Sequence, residues 1–171
     1  MTRLVKAFLD IALWRKTPAA LPASTFLLAL AALADMLVEV AGDLLLPGPG
    51  RHILLAVVLT VVAPLCFTWI VLALTKRRHR LLQTGSAVLG IDALVGLLNL
   101  PLEAASRAVG TGGQLPPLLA LLSYALLVAY LLANMNVWRA ALDTWLISAG
   151  LVSLGYVVMQ LVIGQELVSV Q

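Results

Sequence analysis

Lys76-Arg77-Arg78-His79-Arg80 stands between two long apolar runs, Ile53 to Thr75 before it and Leu81 to Leu100 after it. A stretch of this charge cannot be buried in hydrocarbon, so it lies at a membrane surface with a span returning into the bilayer on each side. Lys and Arg accumulate on the side of synthesis, so the stretch predicts a cytoplasmic middle of the chain and sets the direction of every neighbouring span. Lys76, Arg77, Arg78 and Arg80 are thereby residues of topology and lipid contact, not of chemistry.

The composition agrees. Of 171 residues, 62% are hydrophobic and 11% charged, far from the roughly half apolar and quarter charged of a soluble domain. The expected fold is all-α, a polytopic integral membrane bundle forming one domain over residues 1–171. A net charge of +3, concentrated at one membrane face, reads as a topology signal with attraction to anionic lipid, and excludes a nucleic-acid partner. The lone Cys66 permits no internal disulfide.

Working toward the amino terminus, Arg3, Lys6 and Asp10 recur at helical spacing opposite Leu4, Val5, Phe8, Leu9, Ile11 and Ala12. This predicts an amphipathic interfacial helix over residues 2–16 with Trp14 at headgroup depth. Lys6 and Asp10 interrupt the apolar run that a signal peptide requires. The first span is predicted at 23–46 and the second at 53–75, joined by a Pro47-Gly48-Pro49-Gly50 turn, with Pro64 freeing the carbonyl of Thr60.

Beyond the basic stretch, a third span is expected at 81–100, ended by Pro101. A short interfacial helix follows, carrying Glu103 and Arg107 four apart and stopped by Gly110, then a loop from Thr111 to Gln114. Pro116-Pro117 opens a fourth span to residue 133. Asn134 to Arg139 reads as a turn, with Asn134, Asn136 and Asp143 capping and connecting, and Asp143 pairing with Arg139. A fifth span covers 142–163. This layout places nine basic residues (Arg3, Lys6, Arg15, Lys16, Lys76, Arg77, Arg78, Arg80 and Arg139) on the cytoplasmic side and Arg51 and Arg107 on the other. That asymmetry predicts a cytoplasmic amino terminus and an outside carboxyl terminus.

The chemistry available is in the acids. Asp35, Glu39 and Asp43 recur every four residues along one face of the first span and descend about 12 Å toward the outer surface at the helical rise. Asp92 on the parallel third span falls at the depth of Asp35. A carboxylate there must be protonated, hydrogen-bonded, cation-bound or facing water. In the functional reading, Asp35 and Asp92 form a proton or cation site, Glu39 and Asp43 a relay, and Thr60, Tyr124 and Ser153 complete a polar layer. In the structural reading, protonated aspartates hydrogen-bond between helices, each bond worth about 1 kcal/mol.

Ser86 with Gly90, and Ala149 with Ser153, have the four-residue small spacing that lets helices pack closely. His52 and His79 lie on opposite sides, so no metal site is expected, and both read as solvated turn residues. No phosphate loop, Cys or His cluster, nucleophile elbow or metalloprotease signature is present, so neither an enzyme nor a cofactor is expected.

The interfacial start with Trp14-Arg15-Lys16-Thr17-Pro18 ahead of the first span, the five spans and the cytoplasmic amino terminus resemble the Yip family of five-span membrane proteins. Asn136-Val137-Trp138-Arg139-Ala140-Ala141 and Leu151-Val152-Ser153-Leu154-Gly155 look similar to the end of its bacterial members. The resemblance implies a Yip-like bundle in a bacterial inner membrane. Residues 1–22 lack the acidic, tyrosine-containing patch of the eukaryotic relatives, so GTPase binding is not carried over. Two functions are therefore expected: a non-enzymatic scaffold that organises membrane by packing with itself or another membrane protein, or a small proton- or cation-coupled transporter using Asp35 and Asp92.

Overall fold

A computed structural model describes residues 2–45, 53–108 and 116–169. Among these residues the chain is all-helical: α1 (Thr2–Ala12), α2 (Thr25–Leu45), α3 (Ile53–Leu74), α4 (Leu81–Ala108), α5 (Pro117–Leu142) and α6 (Leu146–Ser169), with single 3-10 turns at Pro18–Ala20 and Arg78–Arg80. Four helical stretches are long and apolar enough to cross a membrane, 25–45, 78–108, 117–142 and 146–163, and Val58–Leu74 forms a shorter apolar helix. The expectations for Pro47 to Gly50, Arg51, His52, Gly110 and Thr111 to Gln114 lie outside the described residues.

Helix starts follow the local chemistry. Ser24 precedes α2, its Oγ accepting the Leu27 N–H at 3.5 Å, and Pro117 takes the first position of α5, where a missing N–H costs nothing. Pro64 stays inside α3 and Pro101 inside α4. This corrects the expected stop at Pro101: Glu103 and Arg107 do pair at 2.8 Å, but on the continuing α4. One lost backbone bond costs less than ending a helix where hydrocarbon offers the freed groups no partner.

The expected turn at Asn134 to Arg139 is also corrected, because α5 continues through it to Leu142. Asn134, Asn136, Val137, Trp138, Ala141 and Leu142 are all buried, so packing carries the helix through the polar residues. Asp143 ends the helix in the left-handed region, φ 49°. Its side chain lies 3.8 Å from Arg77, while Arg139 sits over the Trp14 ring at 5.8 Å.

α2 and α4 run parallel in close contact because glycines line the seam. A Cβ on Gly96 would fall 2.9 Å from Val38 Cγ1, one on Gly85 3.2 Å from Leu28 Cδ1, and one on Gly42 3.3 Å from Leu100 Cδ2. This register puts Asp35 level with Asp92. On the other side, Ser153 Oγ of α6 donates to the Leu131 carbonyl of α5 at 2.9 Å, and Ala149 is fully buried.

α1 departs from a purely interfacial position. It packs against α4 and α5 with Phe8, Asp10 and Ile11 buried, while Val5, Leu9 and Leu13 stay exposed. Phe8 lies on Gly90, where a side chain would meet its ring. Asn136 Nδ2 donates to the carbonyls of Ile11 at 2.7 Å and Lys16 at 3.0 Å, so this residue ties down α1 and does not cap the last spans. Trp14 Nε1 donates to the Leu132 carbonyl at 2.9 Å.

Candidate functional site

Asp35 and Asp92 face one cavity of about 460 Å³, bounded by α2 through α6. Its polar wall is Asp35, Glu39, Thr60, Asp92, Asn99 and Ser123, with Tyr130 and Gln160 beside them. From Asp92 to Asn99 the cavity follows α4 for about 10 Å at 1.5 Å per residue, away from the basic stretch. Toward that stretch the bundle closes: Ala87, Val88, Leu89 and Ile91 are fully buried, as are Val137 and Trp138.

The two acids are held differently. Tyr130 Oη donates to Asp92 Oδ1 at 2.8 Å, and Tyr156 Oη donates to Asp92 Oδ2. Gln160 Nε2 donates to Tyr156 Oη at 3.2 Å. Phe67 packs on both Tyr156 and Trp138, with centroids 5.5 and 5.6 Å away, which fixes the Tyr156 ring. Asp92 is therefore anchored through both oxygens. Asp35 is 4% exposed, and its Oδ2 has no hydrogen-bond partner among the described residues. Asp35 lies within electrostatic reach of Asp92 and Glu39.

A buried carboxylate oxygen left without a donor carries an unrecovered desolvation cost of about 1–3 kcal/mol, more if charged. A proton on the carboxyl, or a cation or water reached by rotation of the side chain toward the cavity, removes that cost. The side chains present supply oxygen ligands from carboxyl, hydroxyl and amide groups, suited to a proton or a hard cation. Among the described residues, no group of three or more His, Cys, Asp or Glu is placed to hold a metal ion.

The structure thus brings together Asp35, Glu39, Asp92 and Thr60 of the expected site and leaves out the rest. Asp43 is buried but does not line the cavity. Tyr124 points outward, 69% exposed, and Ser153 is spent on the Leu131 carbonyl. Tyr130, Tyr156, Gln160 and Asn99 were missed. Counting depth from the helix end at Leu142 puts Tyr130 about 18 Å in, level with Asp92 at about 16 Å from Leu81 and Tyr156 at about 15 Å from Leu146. No protein-family model matches this chain, and no curated protein or solved structure matches it either.

Proposed function

We propose that this chain is an integral membrane protein that binds a proton or monovalent cation at Asp35 and Asp92 and passes it across the bilayer. The observation that carries the reading is the asymmetry of the pair: Asp92 is held by two tyrosine hydroxyls, while Asp35, in the wall of the cavity, keeps a buried Oδ2 with no hydrogen-bond partner among the described residues. A purely structural pair of aspartates would spend its hydrogen-bonding capacity between helices. Glu39 and Asn99 extend the polar lining away from the basic stretch and mark the entry side. Passage then requires the packed layer of Phe8, Leu89, Ile91 and Trp138 to rearrange, as alternating access demands. The basic asymmetry supports a cytoplasmic amino terminus and an outside carboxyl terminus, and the Yip-like layout supports a bacterial inner membrane.

The test is proton, sodium and potassium flux in proteoliposomes, comparing the wild type with Asp35→Asn and Asp92→Asn at matched reconstitution. Flux in the wild type that falls at least tenfold in Asp35→Asn supports the reading; absence of flux, or flux indifferent to both substitutions, sinks it.

A second reading, the Yip-like membrane scaffold, is favoured by the outward row of Val5 and Leu9 on α1 and Leu13 just after it, available to lipid or to another membrane protein. Leu9→Asp would then abolish a preference for highly curved vesicles while leaving flux intact. An unchanged curvature response would remove this reading.

A further inference from the structure

A second cavity, of about 560 Å³, opens at the other end of the bundle, where the basic stretch, the segment after α1 and the junction of α5 with α6 meet. It shares no residue with the acidic cavity. Three helices ending in left-handed residues shape this end: Trp14 after α1 (φ 61°), Lys76 after α3 (φ 58°) and Asp143 after α5 (φ 49°). Such conformations cost an L residue about 1 kcal/mol or more. Trp14 and Asp143 stand in the cavity wall.

The polar groups of the wall point to an anion. Arg80 is fixed by Nη1, which donates to the carbonyls of Ala140 at 2.7 Å and Ala141 at 3.2 Å. That geometry leaves Nε and Nη2 of the same guanidinium without a hydrogen bond among the described residues. Arg139 is held over Trp14, and the nearby Asp143 is turned to Arg77 instead. Thr144 Oγ1 is buried and has no hydrogen-bond partner among the described residues. His79 and Gln83 complete the wall. A guanidinium anchored by backbone carbonyls is already ordered, so it loses little freedom on meeting a phosphate, and its free edge offers two parallel donors.

The level of the cavity fits the same chemistry. Trp14, Trp69 and Trp145 are all exposed at this end, with Arg78 over the Trp69 ring at 5.4 Å, the arrangement of an aromatic belt at headgroup depth. Basic pockets between helices at this depth take phosphate headgroups.

We propose that this cavity is a phosphate site, with Arg80 and Arg139 as its cationic arms and Thr144 and His79 as further donors, filled by an anionic phospholipid headgroup or by free phosphate. It is a built pocket, distinct from the general attraction of the basic face for acidic lipid. The proposal is independent of the acid pair.

The test measures thermal unfolding in nanodiscs of phosphatidylcholine alone, the same with one third phosphatidylglycerol, and phosphatidylcholine with added inorganic phosphate. Variants are Arg139→Gln and Thr144→Val, which spare the Arg80 bonds to α5, with Lys76→Gln as a control of equal charge change outside the cavity. Stabilisation by phosphatidylglycerol that drops about tenfold in apparent affinity in Arg139→Gln, weakens in Thr144→Val and persists in Lys76→Gln supports the site with lipid as its source. The same pattern with inorganic phosphate supports it with free phosphate as the source. No stabilisation by either probe, or an equal loss in Lys76→Gln, overturns the proposal.

Discussion

The contact between Phe8 and Gly90 makes a sign-changing prediction. In a helix interior, Gly→Ala is favourable by about 0.8–1 kcal/mol on propensity alone. At position 90 the added methyl would stand 2.5 Å from Cδ1 and 2.8 Å from Cζ of the Phe8 ring, closer than carbon atoms approach. Overpacking of this kind costs about 1–3 kcal/mol, so Gly90→Ala should destabilise the protein by up to about 2 kcal/mol once propensity is subtracted. With Phe8→Ala in place the obstruction is gone and only the propensity gain remains, so the same Gly90→Ala should stabilise. The resulting coupling, about 1–3 kcal/mol, lies within the range for residues in contact. The assay is a double-mutant cycle by reversible unfolding in detergent micelles for wild type, both single variants and the double. Additive effects, or a stabilising Gly90→Ala with Phe8 intact, would refute the docking of α1 into the α4 and α5 groove.

Other perturbations test neighbouring parts of the account. Asn136→Ala removes the side chain that ties the Ile11 and Lys16 carbonyls to α5; Ile11 keeps the Trp14 N–H, so the loss of about 1–2 kcal/mol should speed amide exchange over residues 5–12 by about tenfold while leaving α4 protected. Tyr156→Phe removes the donor to Asp92 Oδ2 and should cost about 1–3 kcal/mol of stability, read as a lowered unfolding midpoint; an unchanged midpoint would show that Asp92 does not depend on it. Gly96→Val drives a side chain into Val38 across the α2 and α4 seam and should cost about 1–3 kcal/mol or more, whereas Gly150→Ala, 3.4 Å from Met135 Sδ, should be tolerated. Asp143→Gly suits the left-handed φ of 49° and should be neutral or mildly stabilising, while Asp143→Val should destabilise by about 1–2 kcal/mol, both seen in unfolding midpoints.

The depth of the acids was readable from residue numbers because two parallel helices that start near the same surface keep register at a fixed rise. That places Asp35 beside Asp92 without any knowledge of packing. The partners of Asp92 were hidden by a single boundary. Taking Asn134 to Arg139 as a turn moves the end of the fourth span nine residues back from Leu142, which lifts Tyr130 toward the surface and brings Tyr124 to mid-depth. In the structure Tyr130 holds Asp92 and Tyr124 faces outward. The polar letters were misleading because each side chain finds an acceptor in protein: Asn134 Nδ2 in the Tyr130 carbonyl, Asn136 in the end of α1. The docking of α1 was likewise unreadable from its amphipathic pattern, since the face that lipid would cover and the face that a glycine-lined groove would cover have the same composition.

The pair at the centre of the account is tested most directly by carbodiimide labelling, which couples to the protonated form of a carboxyl group that the reagent can reach. Labelling the protein in micelles and locating the adduct by mass spectrometry should show modification at Asp35, slowed by sodium or potassium or by raising the pH, and faster than at Asp92 with its two tyrosine donors. Absence of labelling at Asp35, or labelling that neither cations nor pH alter, would contradict a proton or cation site at Asp35 and Asp92.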